Sequence, residues 1–273
     1  MLQSHAVEKY HEELRLLRKP NTYIASRQIR YECLNYVDSN DIRGSVLTWL
    51  AACKAKGNSL RTLEHKRIRV TSFYRTLGIE LKIPRIKCVS RRPEIYSEAE
   101  LDAIFRAARL KHPRRYWLYK MFLQSGLRWR EAMYLEWSNL LDGGGIQVAP
   151  HSHFGDWTPK DHEERVVSVP AGLIAGLRLL SRNGPLVFPT LTGHPDTKML
   201  LSLKATAKRA GLDPAKCWLH KFRSTFAVTL LRRGIDIRTV MRQLGHSRVE
   251  TTMKYLVWLD DDRLSEKIEQ VWS

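Results

Sequence analysis

Six residues, read in chain order, are of types that handle phosphate: Arg128, Lys160, His220, Arg223, His246 and Tyr255. Their local settings are Ser125-Gly126-Leu127-Arg128-Trp129-Arg130-Glu131, then His220-Lys221-Phe222-Arg223, then Leu244-Gly245-His246, with Tyr255 nine residues beyond His246. A tyrosine hydroxyl titrates near a pH of about 10, so at neutral pH it attacks poorly without help. Attack on a phosphodiester adds negative charge to the non-bridging oxygens, and fixed cationic donors that meet that charge supply much of the rate. Arginine suits the task, because its planar fork grips two oxygens and stays charged. A site assembling this set would cut a phosphodiester and hold the product as a phosphotyrosine. Tyr255 is the only tyrosine after His246.

The elements that must position them read as mostly helical. Apolar positions at helical spacing predict helices over 23–37, 42–56 and 59–77, with a short one near Val7 to Leu17. Together these form a small all-helical module over residues 1–82. Residues 83–94 hold two prolines and a run of basic residues, and read as an extended basic linker. A second domain, 95–273, opens on Ser97-Glu98-Ala99-Glu100, the pattern of a capping box. Helices are expected over 98–109, 114–124, 129–137, 171–182, 197–210, 220–233, 236–244 and 248–258, with a last one near 261–271. Between them, 144–148 and 165–170 read as strands of a small antiparallel hairpin or sheet, with Lys160 in the polar stretch that joins them. The fold class is therefore mainly α with a small antiparallel β-sheet. His220 and Arg223, three apart on one helix, project from one face. Gly245 suits a helix stop that drops His246 into a turn, with Tyr255 two turns along the next helix. Glu131, three after Arg128, is placed to brace an active-site side chain.

Composition narrows the partner. The 273 residues carry 46 Lys or Arg against 28 Asp or Glu, a formal net charge of +18. A chain this basic usually meets a polyanion, and nucleic acid is the default. Residues 1–94 carry +10 and the remainder +8, so both halves are expected to touch it. The four cysteines, Cys33, Cys53, Cys88 and Cys217, lie far apart and fit neither a zinc site nor a disulfide framework. Reduced thiols in the cytoplasm are the expectation, with no membrane span and no signal peptide. His151, His153 and His162 lack the carboxylate spacing of a metal site, and no metal is expected there.

The order and spacing of Gly-Leu-Arg-x-x-Glu, hairpin lysine, His-x-x-Arg, Leu-Gly-His and tyrosine resemble the tyrosine recombinase (phage integrase) family, strongly over roughly residues 95 to 258. The stretch from Gly57 through Tyr74 looks like that family's helical core-binding (SAM-like) domain. The resemblance implies two domains closing as a C-shaped clamp on double-stranded DNA. It makes Arg128 and Arg223 the phosphate clamp and Tyr255 the nucleophile. His220 helps position and deprotonate that nucleophile, and His246 donates a hydrogen bond to the phosphate. Lys160 is the general acid for the leaving 5′ oxygen. DNA contacts are expected from Arg61, Lys66 and Arg69 in the first domain, and from Arg85, Lys87, Arg91 and Arg92 in the linker. The reaction implied passes through a 3′-phosphotyrosyl bond and needs neither metal nor other cofactor. Strand exchange would take a homotetramer on paired sites, from protomers that are monomers or weak dimers when free. A type IB topoisomerase and a non-catalytic DNA-binding protein on the same scaffold are the alternatives.

Overall fold

In the computed structural model, the described residues are 20–89, 92–151, 154, 157–159 and 164–258, with isolated positions 12, 15, 269 and 272. The helix expected near Val7 to Leu17, the tail helix near 261–271, Lys160 and Arg91 lie outside the described residues. Two compact units divide at Arg91/Arg92.

The first unit is three helices, α1 (Pro20–Leu34), α2 (Ile42–Ala55) and α3 (Leu60–Thr76). Local sequence sets their starts. The Asp41 carboxylate accepts from the Gly44 amide at 2.8 Å, and the Ser59 hydroxyl caps α3 through the Thr62 amide. Their apolar faces meet in a core of Cys33, Val46, Trp49, Leu63, Val70 and Phe73. The basic linker begins differently from a free tether. Residues 79–89 have no regular secondary structure, as expected, yet Ile83 is buried and Ile86 packs on the same core. Glu64 on α3 grips Arg67 through both carboxylate oxygens and accepts the Ile86 amide at 2.9 Å, while Arg67 reaches the Ile83 carbonyl. That carboxylate fastens the first part of the linker to the helical unit.

The second unit holds α4 (Glu98–Lys111), α5 (Pro113–Ser125), α6 (Trp129–Met133), β1 (Leu140–Leu141), β2 (Gly145–Val148), β3 (Arg165–Ser168), α7 (Ala171–Arg178), α8 (Met199–Arg209), α9 (Leu219–Arg232), α10 (Ile237–Leu244) and α11 (Glu250–Met253). The capping box at Ser97 forms as read: its hydroxyl accepts from the Glu100 amide and Glu100 accepts from the Ser97 amide. Helix α9 runs through the middle, with Phe222 stacked on Tyr119 and Phe122 of α5. The sheet has three antiparallel strands in the order β1-β2-β3, with Gly145 opposite Ser168 and Val148 opposite Arg165. The expected hairpin thus gains a third strand.

Several expected helices end early, among them the one read over 171–182, which stops at Arg178. The helix read over 129–137 stops at Met133, because long-range pairing takes over its next backbone groups: the Val187 amide donates to the Leu135 carbonyl and the Trp137 amide to Pro185. The helix read over 248–258 is only the four-residue α11, followed by a turn and a 3-10 segment, Leu256–Trp258. Tyr255 therefore sits in the turn beyond α11, its amide bonded to the Thr252 carbonyl at 2.9 Å.

Candidate active site

The residues singled out by type come together at the ends of short elements. Two glycines make this geometry. Gly126 closes α5 in the left-handed region (φ 63°), where a Cβ would strike the Phe226 ring at 2.5 Å. Gly245 closes α10 likewise (φ 62°), where a Cβ would lie 2.8 Å from the Arg165 guanidinium carbon. Each glycine ends a helix and turns the chain into the site: Arg128 follows the first, His246 the second.

Arg223 comes up from α9 and is 1% exposed. Its two terminal nitrogens donate to the carbonyls of Gly126 and Leu244, both at 2.5 Å, so it pins the two turns to each other. Arg128, on the opposite rim, donates one nitrogen to Glu131 at 3.0 Å and the other to the Gly245 carbonyl at 2.8 Å. Glu131 is buried, and it also accepts two bonds from Arg165 at 3.2 and 2.8 Å. Two guanidiniums thus bond one carboxylate with a third nearby, which among the described residues leaves a net positive, largely buried centre that attracts an anion. Burial first, then the charge of Arg128, pulls Arg223 down to a pKa of about 9, still protonated at neutral pH. Burial acts to raise the Glu131 pKa, but the bonds and charge of Arg165, with help from Arg128, outweigh it and hold the carboxyl below its ordinary range.

His246 lies in the turn after Gly245, its Nδ1 2.8 Å from the hydroxyl of Thr252, a fully buried residue. Burial, then the charges of Arg223, Arg128, Lys254 and His220, depress its pKa to about 3, so the ring is neutral at physiological pH. His220 itself, in the first turn of α9, remains exposed, while Arg223 three residues on is buried. Tyr255 is 0% exposed and packs with Phe226, Val240 and Leu244. The Lys254 ammonium lies 4.9 Å from the centre of its ring. Among the described residues, the Tyr255 hydroxyl and the Arg223 Nε are both buried with no hydrogen-bond partner. The arrangement offers a cationic donor, a neutral imidazole and a hydroxyl within one electrostatic cluster.

Of the six residues read from the sequence, five converge here and Lys160 lies outside the described residues. Sequence reasoning missed Arg165, Gln243 and Thr252. Arg165 donates through Nε to the Gln243 carbonyl at 3.5 Å, and the Gln243 side chain accepts from the Ser168 amide at 3.1 Å, joining β3 to α10. A signal for Arg165 was available: strand alternation puts it on the same face as Val167, which is fully buried, and a charge on a buried face needs a partner. The residues expected to meet DNA divide. Arg61, Arg85, Lys87 and Arg92 are exposed. Arg69 is half-buried and bonds the Ser26 hydroxyl. Lys66 turns inward instead: its ammonium bonds Glu32 at 2.8 Å and the Cys53 sulfur at 3.3 Å, over the Trp49 ring. Among the described residues no group of three or more His, Cys, Asp or Glu gathers as a metal site, and no helix is long and apolar enough to cross a membrane.

Residues 95–260 match the phage integrase family, and the chain belongs to it, as a tyrosine recombinase. Among its relatives, tyrosine recombinase XerD of Vibrio cholerae is 26% identical over 267 residues, covering 93% of this chain and 86% of the relative. XerA of Thermococcus onnurineus is 25% identical, covering 92% of this chain and 90% of the relative. The Tn1549 transposon integrase, solved in complex with transposon right end DNA, superposes with a TM-score of 0.80 over 98% of this chain and 99% of that one; at 15% identity this likeness is one of fold.

Proposed function

We propose that this chain cuts and rejoins double-stranded DNA at specific sites through a 3′-phosphotyrosyl intermediate on Tyr255. One observation carries the reading: a buried tyrosine hydroxyl and a buried arginine Nε, neither with a hydrogen-bond partner among the described residues, lie in one electrostatic cluster with Arg128 and a neutral His246. A phosphate placed there meets Arg223 and Arg128 on its non-bridging oxygens. The neutral imidazole, with Nδ1 accepting from the Thr252 hydroxyl, keeps a proton on Nε2 to donate to the same phosphate. The Tyr255 oxygen then forms a bond to phosphorus as the bond to the 5′ oxygen breaks. The tyrosine proton passes to His220, and the leaving oxygen takes a proton from Lys160. A 5′-hydroxyl from a partner strand reverses the step, so the bond energy is conserved in the covalent link. Since Tyr255 is fully buried, the turn at 254–255 must move to present its oxygen.

The net charge of +18 and the exposed Arg61, Arg85, Lys87 and Arg92 support a grip on the DNA backbone by both units. Strand exchange then takes four protomers on two paired sites. The test is a nicked suicide duplex, enriched from a randomised pool by the protein, incubated in excess EDTA. A covalent adduct should accumulate and leave a free 5′-hydroxyl end, because guanidinium groups hold the phosphate. Relaxation of any supercoiled plasmid without a preferred site would move the reading to a topoisomerase. Binding with no adduct on any duplex would leave only a DNA-binding protein.

A further inference from the structure

We propose that Arg165 is a positioning residue for strand cleavage: it saturates the Glu131 carboxylate, so that Glu131 aims Arg128 without taking its whole fork. This role rests on the cleavage reaction proposed above. Among the described residues, the two oxygens of Glu131 accept from four donors. Oε1 accepts from Arg128 Nη1 at 3.0 Å and from Arg165 Nη1 at 3.2 Å. Oε2 accepts from the Arg128 backbone amide at 2.8 Å and from Arg165 Nη2 at 2.8 Å. The two-pronged partner of Glu131 is therefore Arg165. Arg128 gives it a single prong and spends the other on the Gly245 carbonyl. A lone buried carboxylate beside an arginine prefers the bidentate pair. With Arg165 gone, Arg128 would collapse onto Glu131, releasing Gly245 and withdrawing from the phosphate.

Arg165 also walls the turn that carries His246. Its Cζ, Nε and Nη1 all lie within 2.9 Å of where a Gly245 Cβ would stand, so the absent side chain at 245 makes room for this guanidinium. Its Nε bonds the Gln243 carbonyl in the last turn of α10. Because Arg165 is the first residue of β3 and shares the buried face of Val167, the strand holds it rigidly against the turn at Gly245. The charged groups facing Glu131 among the described residues are Arg128 from the start of α6, Arg165 from β3 and Arg223 from α9.

The experiment measures single-turnover cleavage of the suicide duplex, and DNA affinity separately, for the full chain and its variants. Arg165→Gln should slow cleavage by roughly 10–100-fold, as outer partners of a site residue do, with affinity little changed. The double variant Arg165→Gln/Glu131→Gln should be no slower than Glu131→Gln alone, because the two residues act as one unit. The pH profile separates this role from a merely structural one. Without Arg165, Glu131 is a buried carboxylate short of its main partner, so its pKa rises. The acid limb of cleavage should move to higher pH in Arg165→Gln and vanish in the double variant. Where Arg165→Gln melts below assay temperature, Arg165→Lys carries the test, with a rate between wild type and Glu131→Gln. Additive losses in the double variant, an unmoved acid limb, or a defect confined to affinity would overturn the proposal. If the wild type forms no Tyr255 adduct, the cleavage reading itself falls; if it does and these signatures are missing, only the role of Arg165 falls.

Discussion

Each unit of the chain buries a tyrosine whose hydroxyl finds no partner among the described residues: Tyr74 in the first, Tyr255 in the second. Burial and the nearby Cys33 push the Tyr74 pKa up to about 12, which makes its oxygen a worse nucleophile. Tyr255 sits among cations, with the Lys254 ammonium 4.9 Å from the centre of its ring and Arg223 within electrostatic reach. The cations differ in the same sense. In the first unit Arg67 pairs with Glu64 and Lys66 with Glu32, while the buried Arg30 lies over the Phe73 ring, away from any such cluster of arginines. In the second, two arginines share Glu131, and the Nε of a third, Arg223, has no hydrogen bond among the described residues. A vacant hydroxyl is therefore not the mark of a site. What distinguishes the second unit is the clustering of Arg128, Arg165 and a buried Arg223 about a single carboxylate, within electrostatic reach of Tyr255.

The largest effect should come from exchanging the two tyrosines. Tyr255→Phe should eliminate covalent DNA adducts while leaving binding intact. Tyr74→Phe should leave cleavage unchanged and alter stability by about 1 kcal/mol or less, since it removes a buried hydroxyl that has no bond to lose. A cleavage defect in Tyr74→Phe would break the contrast. Next come the arginines. Arg223→Ala should lower the cleavage rate by roughly 10²–10³-fold, the usual cost of an aimed donor to a developing oxyanion. Arg67→Ala should free the peptide around Ile83 and Ile86 to exchange amide hydrogens faster, yet leave cleavage of bound DNA near wild type. Equal defects from the two would make charge alone the cause. The smallest effect concerns pH. His246 has a folded pKa of about 3, against an ordinary imidazole value of 6.5. Between those values the unfolded chain binds the extra proton, so stability falls as pH drops from about 6.5 toward 3. His246→Asn should flatten that acid limb in denaturant titrations, and an unchanged limb would place the titration elsewhere.

What could be read from sequence follows the range of the interactions. The capping box at Ser97 and the glycine stop at 245 depend on neighbours a few residues away, and both form as read. The order of site residues was legible because their chemistry is specific. The end of α6 at Met133 was not, because strand-like pairing with residues 185–187 decides it. Nor was the fate of Lys66, whose partner Glu32 is 34 residues away on another helix. Helix periodicity through residues 248–258 suggested continuity, yet Tyr255 packs onto Phe226, Val240 and Leu244 from a turn. Arg165 lay in plain view on an inward strand position, and only its bonds to Glu131 reveal what it does.

The central claim is that the vacant hydroxyl amid excess positive charge is the one that takes up DNA. Digesting the trapped adduct and sequencing the peptide that carries nucleotide tests it most directly. The account predicts a single modified peptide with the nucleotide on Tyr255, joined through the 3′ phosphate. Nucleotide on another residue, or attachment through a 5′ phosphate, would contradict it.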